Sequence, residues 1–207
     1  KGDVAHWAEQ LGGILLPTGS IRLAAGGRIE DLPGFADGAW WVQDAAAALP
    51  VKLLGDVAGQ AVLDVCAAPG GKTAQLATAG ARVTALDKSA GRLKRLLSNL
   101  ERLQLSVETA VGDAATYAPS RAFDAILVDA PCTATGTIRR HPDIKLLRRP
   151  SDIPAFARAQ RAILDTCFAQ GIIHAESFQQ FLESAQRAIV FEVCHLCRTF
   201  NCHTFDA

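Results

Sequence analysis

Apolar positions along the middle of the chain follow two rhythms. Short apolar runs at AVLDVC (61–66) and RVTALD (82–87) read as buried strands, the first bounded by Gly59 and Pro69. SVETAVGD (106–113) and FDAILVDAPC (123–132) supply two more. Between the first pair, Lys72 to Ala79 reads as a helix closed by Gly80. SAGRLKRLLSNLERLQL (89–105) places Leu93, Leu96, Leu97, Leu100 and Leu103 at spacings of three and four. That predicts an amphipathic helix capped by Ser89. Strands alternating with helices predict an α/β fold, a Rossmann-like doubly wound parallel sheet with helices on both faces. Right-handed crossovers then line the carboxyl ends of the strands along one ligand crevice.

The rhythm is different on either side. In residues 1–55, Pro17-Thr18-Gly19, Gly26-Gly27 and Pro33-Gly34 punctuate short segments such as Ile21 to Ala24, as in a small hairpin-bearing subdomain. The Ala-rich middle of WWVQDAAAALPVKLLG favours a helix that Pro50 should interrupt. Residues 56–165 carry the strand-helix alternation as one domain, and 166–207 form a segment of different texture that completes or replaces the end of the sheet. This last segment holds six of the nine Phe and four of the six Cys, with no Lys, no Pro and one Gly. Within it AIVFEVC (188–194) reads as a strand and SFQQFLESAQRA as a helix.

Composition narrows the function. Hydrophobic residues make up 49% of the 207, enough for one sizeable core. The formal net charge is zero, so any attraction to nucleic acid must come from local patches. No apolar run reaches the roughly 18 residues of a membrane span. The opening KGDVAHWAEQLGG lacks the charged-then-apolar build of a signal peptide, and the absence of any Met reads as a fragment of a longer protein. Six irregularly spaced Cys fit a reducing cytoplasm better than a disulfide framework.

DVCAAPGGKTAQLA, Asp64 to Ala77, contains GGKT, but a phosphate-binding P-loop needs a glycine where Cys66 stands. Pro69 also removes one backbone N–H from a loop that would have to present them. A different reading accounts for more of the residues. Asp64, Asp87, Asp113 and Asp129 stand at four successive strand ends, and Gly70-Gly71 permit close approach of backbone to a ligand. Asp87 sits where a carboxylate takes both hydroxyls of a ribose. No G-x-G-x-x-G is present, which argues against nicotinamide or flavin. Acids without a phosphate cradle favour a cationic adenosine cofactor, S-adenosyl-L-methionine. Singly, each Asp is equally an ordinary turn former.

DVCAAPGGKT, VTALDKSAGRL, VGDA and DAPCTATGTIRRHPDIK, with LPGFADGAWWVQDAAAALP upstream, are similar in order and spacing to the motifs of RNA cytosine-5 methyltransferases of the Sun (Fmu/RsmB) type. The resemblance covers roughly residues 15–165. It implies a class I methyltransferase fold, S-adenosyl-L-methionine as cofactor, and a cytosine of small-subunit ribosomal RNA as target, with the chain acting as a cytoplasmic monomer away from membranes. By matching position, Cys66, Ala67, Ala68, Pro69, Gly70, Gly71 and Lys72 form the cofactor loop. Asp87 holds the ribose, Asp113 lies by the adenine, and Asp129 lies near the methionine part and the target base. Cys132, after Asp129-Ala130-Pro131, is the candidate catalytic thiol. Its other reading is a buried structural Cys. In the family it resembles, the Pro-Cys thiol assists release, and the nucleophile is a Cys in a later Thr-Cys motif.

That later motif is where the sequence departs from the family. Thr166-Cys167 follows the helical stretch RAQRAILD and comes too early, while Cys194 ends a strand-like run without the Thr. Two function classes therefore stay open: an RNA cytosine-5 methyltransferase, and a cofactor- or RNA-binding remnant without turnover. Arg139, Arg140 and His141, just beyond the Cys132 loop, are candidate contacts to RNA phosphates. Lys94 and Arg102 read as a solvated helix face. Cys194-His195-Leu196-Cys197 and Cys202-His203 have metal-ligand chemistry, but their spacing reads as coincidence, so no metal is expected.

Overall fold

The structure, a computed structural model, describes residues 2–24, 27–138, 140–169 and 189–191. The lead-in carries helix α1 (Val4–Gln10), a hairpin of β1 (Ile14–Leu15) and β2 (Ile21–Arg22), and helix α2 (Leu49–Leu53). Then come β3 (Ala61–Val65), α3 (Gly71–Thr78), β4 (Arg82–Asp87), α4 (Ala90–Arg102), β5 (Glu108–Val111) and β6 (Ala125–Val128). Helices α5 (Ile144–Leu147) and α6 (Asp152–Ala169) lead to β7 (Ile189–Phe191).

The sheet has the order β5-β4-β3-β6-β7, and every pairing within it is parallel. Alternation along the strands feeds two apolar layers. Leu63, Val65, Leu86, Ile126 and Val128 face α6 and meet Ile163 and Cys167. On the opposite face, Val62, Val83, Ala125 and Leu127 meet Val51, Val57 and Leu76, while Ala85 meets Leu93, Leu96 and Leu100 of α4. The doubly wound sheet, the hairpin around Pro17-Thr18-Gly19 and the Ser89 cap, which accepts from the Arg92 N–H at 3.3 Å, agree with the sequence pattern. Leu97 differs from its neighbours and is 44% exposed.

Two readings are corrected. Pro50 does not interrupt a helix; it sits in the first turn of α2, and residues 45–48 form turns instead. A proline costs nothing there, because first-turn N–H groups have no helical acceptor. Arg102 is not a solvated residue. Its guanidinium donates to the Phe35 carbonyl at 2.6 Å and the Trp40 carbonyl at 3.2 Å, and stacks on the Phe35 ring at 3.9 Å. It fastens the lead-in to the end of α4. Lys94 is exposed, as expected of a solvated face. The helix read at SFQQFLESAQRA lies outside the described residues.

Gly38 makes this fastening possible. Its φ is +67°, and a Cβ there would stand 1.9 Å from the Arg102 carbonyl oxygen. Gly38→Ala should destabilise the fold by about 3 kcal/mol, combining positive-φ strain with overpacking. Urea denaturation checks it: the midpoint falls while the slope stays unchanged.

Candidate active site

The chain lays down β3, β4 and β5 outward in one direction, then returns to place β6 and β7 on the other side of β3. The switch point between β3 and β6 opens a crevice beyond their carboxyl ends. Two loops enter it: Cys66 to Gly70 after β3, and Asp129 to Cys132 after β6. Lys72, at the start of α3, ties them together by an ion pair to Asp129 Oδ2 at 2.9 Å. With the Lys72 side chain only 12% exposed, this pair is partly shielded from water.

A cavity of about 510 Å³ lies over the first loop, lined by Asp64, Cys66 to Lys72, Asp129 and Arg140, with Trp41, Gln43 and Phe35 of the lead-in opposite. A second cavity of about 170 Å³ adjoins it at Cys66 and is lined by Asp87, Gly112, Asp113, Ala115, Arg92 and Pro131. The structure therefore brings residues 66–72, Asp87, Asp113 and Asp129 to neighbouring cavities at one end of the sheet.

Asp87 is 2% exposed. Its Oδ1 accepts the Ser89 N–H at 2.9 Å, and its Oδ2 accepts the Ala68 N–H at 3.3 Å and pairs with Arg92 at 3.1 Å. Arg92 also donates to the Ala68 carbonyl. Asp113 is exposed, and its Oδ1 accepts the Ala115 N–H at 2.9 Å, an Asx turn at the cavity rim.

The Cys66 backbone has φ +64°, a conformation that side chains other than glycine's seldom adopt. Burial, with the charges of Asp87 and Asp129 adding to it, pushes its thiol up to about 12. Cys66 thus stays protonated and serves as loop wall. At Gly70, φ is +104° and a Cβ would lie 2.9 Å from Leu96 Cγ, so only glycine lets the loop pass over α4.

Cys132 is half-buried, and its Sγ accepts the Ala134 N–H at 3.3 Å. The loop around it is tied from two helical segments. Gln160 of α6 donates to the Pro131 carbonyl at 2.9 Å, and Arg148 donates to the Thr133 carbonyl at 2.9 Å. Arg140 reaches the rim of the larger cavity, with its guanidinium 3.8 Å from Asp44 Oδ2. His141 is exposed and does not line either cavity. Arg139 lies outside the described residues, as do Cys194, Cys197, Cys202 and the two histidines beside them. Among the described residues no group of His, Cys, Asp and Glu has metal-binding geometry.

Thr166-Cys167 belongs to the core rather than to the site. Thr166 donates its hydroxyl to the Ala115 carbonyl at 2.5 Å, and Cys167 is 2% exposed on α6. Burial pushes the Cys167 thiol up to about 11.

The sequence pattern assigned no role to several residues that build this site. Gln43 accepts from the Trp41 indole at 2.8 Å and donates to the Ala47 carbonyl at 3.0 Å and to Gln75 at 3.2 Å, bracing the cavity wall. Asp64, read only as a strand-end acid, is fully buried and accepts the Thr73 hydroxyl at 2.6 Å on Oδ2. Its Oδ1 has no hydrogen-bond partner among the described residues. Burial raises the Asp64 carboxyl to about 7; Asp129 and Asp87 add to the rise, and Thr73 and Lys72 oppose it.

The folded pKa lies above the unfolded value, so Asp64's contribution to stability is complete below about pH 4 and is lost as pH rises through 7. Unfolding measured from pH 5 to 8 without ligand should show that loss, and Asp64→Asn should remove it.

This strand order, with acids at the strand ends and a cavity at the switch point, is that of the Rossmann-like class I methyltransferase fold. The family of the 16S rRNA methyltransferases RsmB/F matches residues 51–174. Ribosomal RNA small subunit methyltransferase B of Vibrio cholerae is 51% identical over 147 residues, 69% of this chain and 34% of the relative. The crystal structure of a methyltransferase homologue from Pyrococcus horikoshii aligns with a TM-score of 0.66 at 28% identity, over 80% of this chain and 56% of that one. The structure of NSun6 from Pyrococcus horikoshii with SFG aligns with a TM-score of 0.60 at 30% identity, over 70% and 38%. The chain belongs to the RsmB/F family of 16S rRNA methyltransferases. It spans about a third of the length of the curated relatives it matches.

S-adenosylmethionine, the methyl donor expected of that family, suits the residues present. Asp64 offers an orphaned buried oxygen at one cavity, Asp87 offers a carboxylate at the other, and a glycine loop leaves the backbone open between them.

Proposed function

We propose that the chain binds S-adenosylmethionine and methylates carbon 5 of a cytosine in small-subunit ribosomal RNA. The observation that carries this is the joining of two loops at one switch point: the acid-lined cofactor loop and the Asp129–Cys132 loop, linked by Lys72 to Asp129 at 2.9 Å. Asp87 would hold the ribose, Asp113 would stand by the adenine, and residues 66–72 would wrap the methionine half. When bound, the cofactor supplies an electrophilic methyl group on a sulfonium.

The protein's own task is to make carbon 5 nucleophilic. A thiolate adds to carbon 6, forming the S–C6 bond and placing electron density on carbon 5. After methylation the carbon-5 proton leaves to a base, and the S–C6 bond breaks to return the thiolate. Cys132 is the thiol we assign to this work, and Asp129, earlier in the same loop, would orient the cytosine. The target must leave its stack to reach the cavity. Arg139, Arg140 and His141 follow this loop in the sequence and would hold the flanking phosphates.

Among the described residues no helix is long and apolar enough to cross a membrane. A second reading, cofactor or RNA binding without turnover, draws support from the burial of Cys167, which removes the Thr-Cys pair as a nucleophile. Tritiated methyl transfer to unmodified small-subunit rRNA separates the two. Label at carbon 5 of cytosine supports the first; cofactor binding by calorimetry without label supports the second.

A further inference from the structure

Asp64 is a titratable group that the chemistry above does not use. It lines the larger cavity, fully buried, with one oxygen held by Thr73 at 2.6 Å and the other without a hydrogen-bond partner among the described residues. A buried carboxylate oxygen left unpaired costs the fold free energy, and a neutral carboxyl or an arriving cation removes that cost. The charged groups facing it come from each neighbouring element: Asp129 after β6, Asp87 at the end of β4, and Lys72 on α3, with the Cys66 thiol in its own loop. Arg92, from α4, is already engaged by Asp87. Asp64, Asp87 and Asp129 thus gather around Lys72 and Arg92.

We propose that Asp64 is a proton-exchanging counter-ion for the cationic methionine half of S-adenosylmethionine: protonated while the cavity is empty, it releases its proton when that half enters. This rests on the cofactor part of the proposed function and not on its RNA part. The proton goes to solvent, and the carboxylate left behind balances the ligand's positive charge directly or through one water. The raised affinity of Asp64 for its proton in the empty protein accords with this geometry.

Calorimetric titration of the chain with S-adenosylmethionine, in phosphate and in bis-Tris at matched pH, tests the proposal. Single-proton linkage predicts that between pH 5.5 and 6.5 nearly one proton is released, and the dissociation constant tightens about tenfold per pH unit, flattening above pH 7. Asp64→Asn should bind with the same apparent enthalpy in both buffers and a flat pH profile. 5′-Methylthioadenosine, which lacks the methionine half, should bind the wild-type chain without proton release.

Binding with no buffer dependence overturns the proposal alone. So does release that persists in Asp64→Asn, or release that accompanies methylthioadenosine. A folded chain that binds no S-adenosylmethionine in either buffer overturns the cofactor reading and this proposal together.

Discussion

Asp87→Asn should weaken S-adenosylmethionine binding by about two orders of magnitude, a loss near 3 kcal/mol of the kind seen when a buried charged hydrogen-bond group is altered. The side chain is 2% exposed, and the groups around it are donors: the Ser89 N–H, the Ala68 N–H and Arg92. Asparagine keeps one acceptor oxygen, but its amide nitrogen must then face a donor whichever way the group is turned. It also gives up the charge that Arg92 balances and that would attract two ribose hydroxyls. Asp113→Asn is the control. That residue is exposed and its Asx turn survives the change, so affinity should fall less than about tenfold. Calorimetry gives both constants, and circular dichroism with thermal melting shows whether Asp87→Asn still folds. Full affinity in a folded Asp87→Asn would overturn the ribose assignment.

The contrast between these two aspartates shows what the sequence could and could not reveal. A short apolar run is enough to read β4 as residues 82–87, and three-and-four spacing the α4 face of Leu93, Leu96 and Leu100, because burial in two layers dictates those positions. The strand-end acids were legible too, since nothing apolar replaces them there. Their different environments were not. Asp64 and Asp87 are buried and Asp113 is exposed, a difference that arises only when α3 and α4 close over one side of the sheet.

Arg102 illustrates the same limit. On the helix pattern alone it is a polar-face residue, but Phe35 and Trp40, more than sixty positions away in sequence, supply its partners. Pro50 and Thr166-Cys167 were ambiguous for a local reason. Proline is tolerated at the start of a helix and not inside it, and a Thr-Cys pair has one meaning at a strand end and another inside a helix. Only the position of each element's boundary separates the readings.

Cys132→Ala should lower methyl transfer by about a thousandfold, an effect of the size that follows loss of a covalent catalyst, while leaving cofactor affinity within about twofold. Loss of one half-buried sulfur costs the fold little, because Gln160 and Arg148 hold the loop through the Pro131 and Thr133 carbonyls and not through the side chain. The other described thiols offer no substitute. Cys66 is held protonated by burial and by Asp87 and Asp129, and Cys167 is packed between α6 and the sheet. Cys167→Ala should accordingly change stability and not turnover. Trapping with RNA that carries 5-fluorocytosine distinguishes the role of Cys132 from mere support, since the fluorine cannot leave and the S–C6 bond persists. Wild-type chain should form a denaturation-resistant complex that Cys132→Ala does not. If Cys132→Ala instead accumulates the complex, the bond is made by another thiol, with Cys194 the first to replace, and Cys132 acts at release.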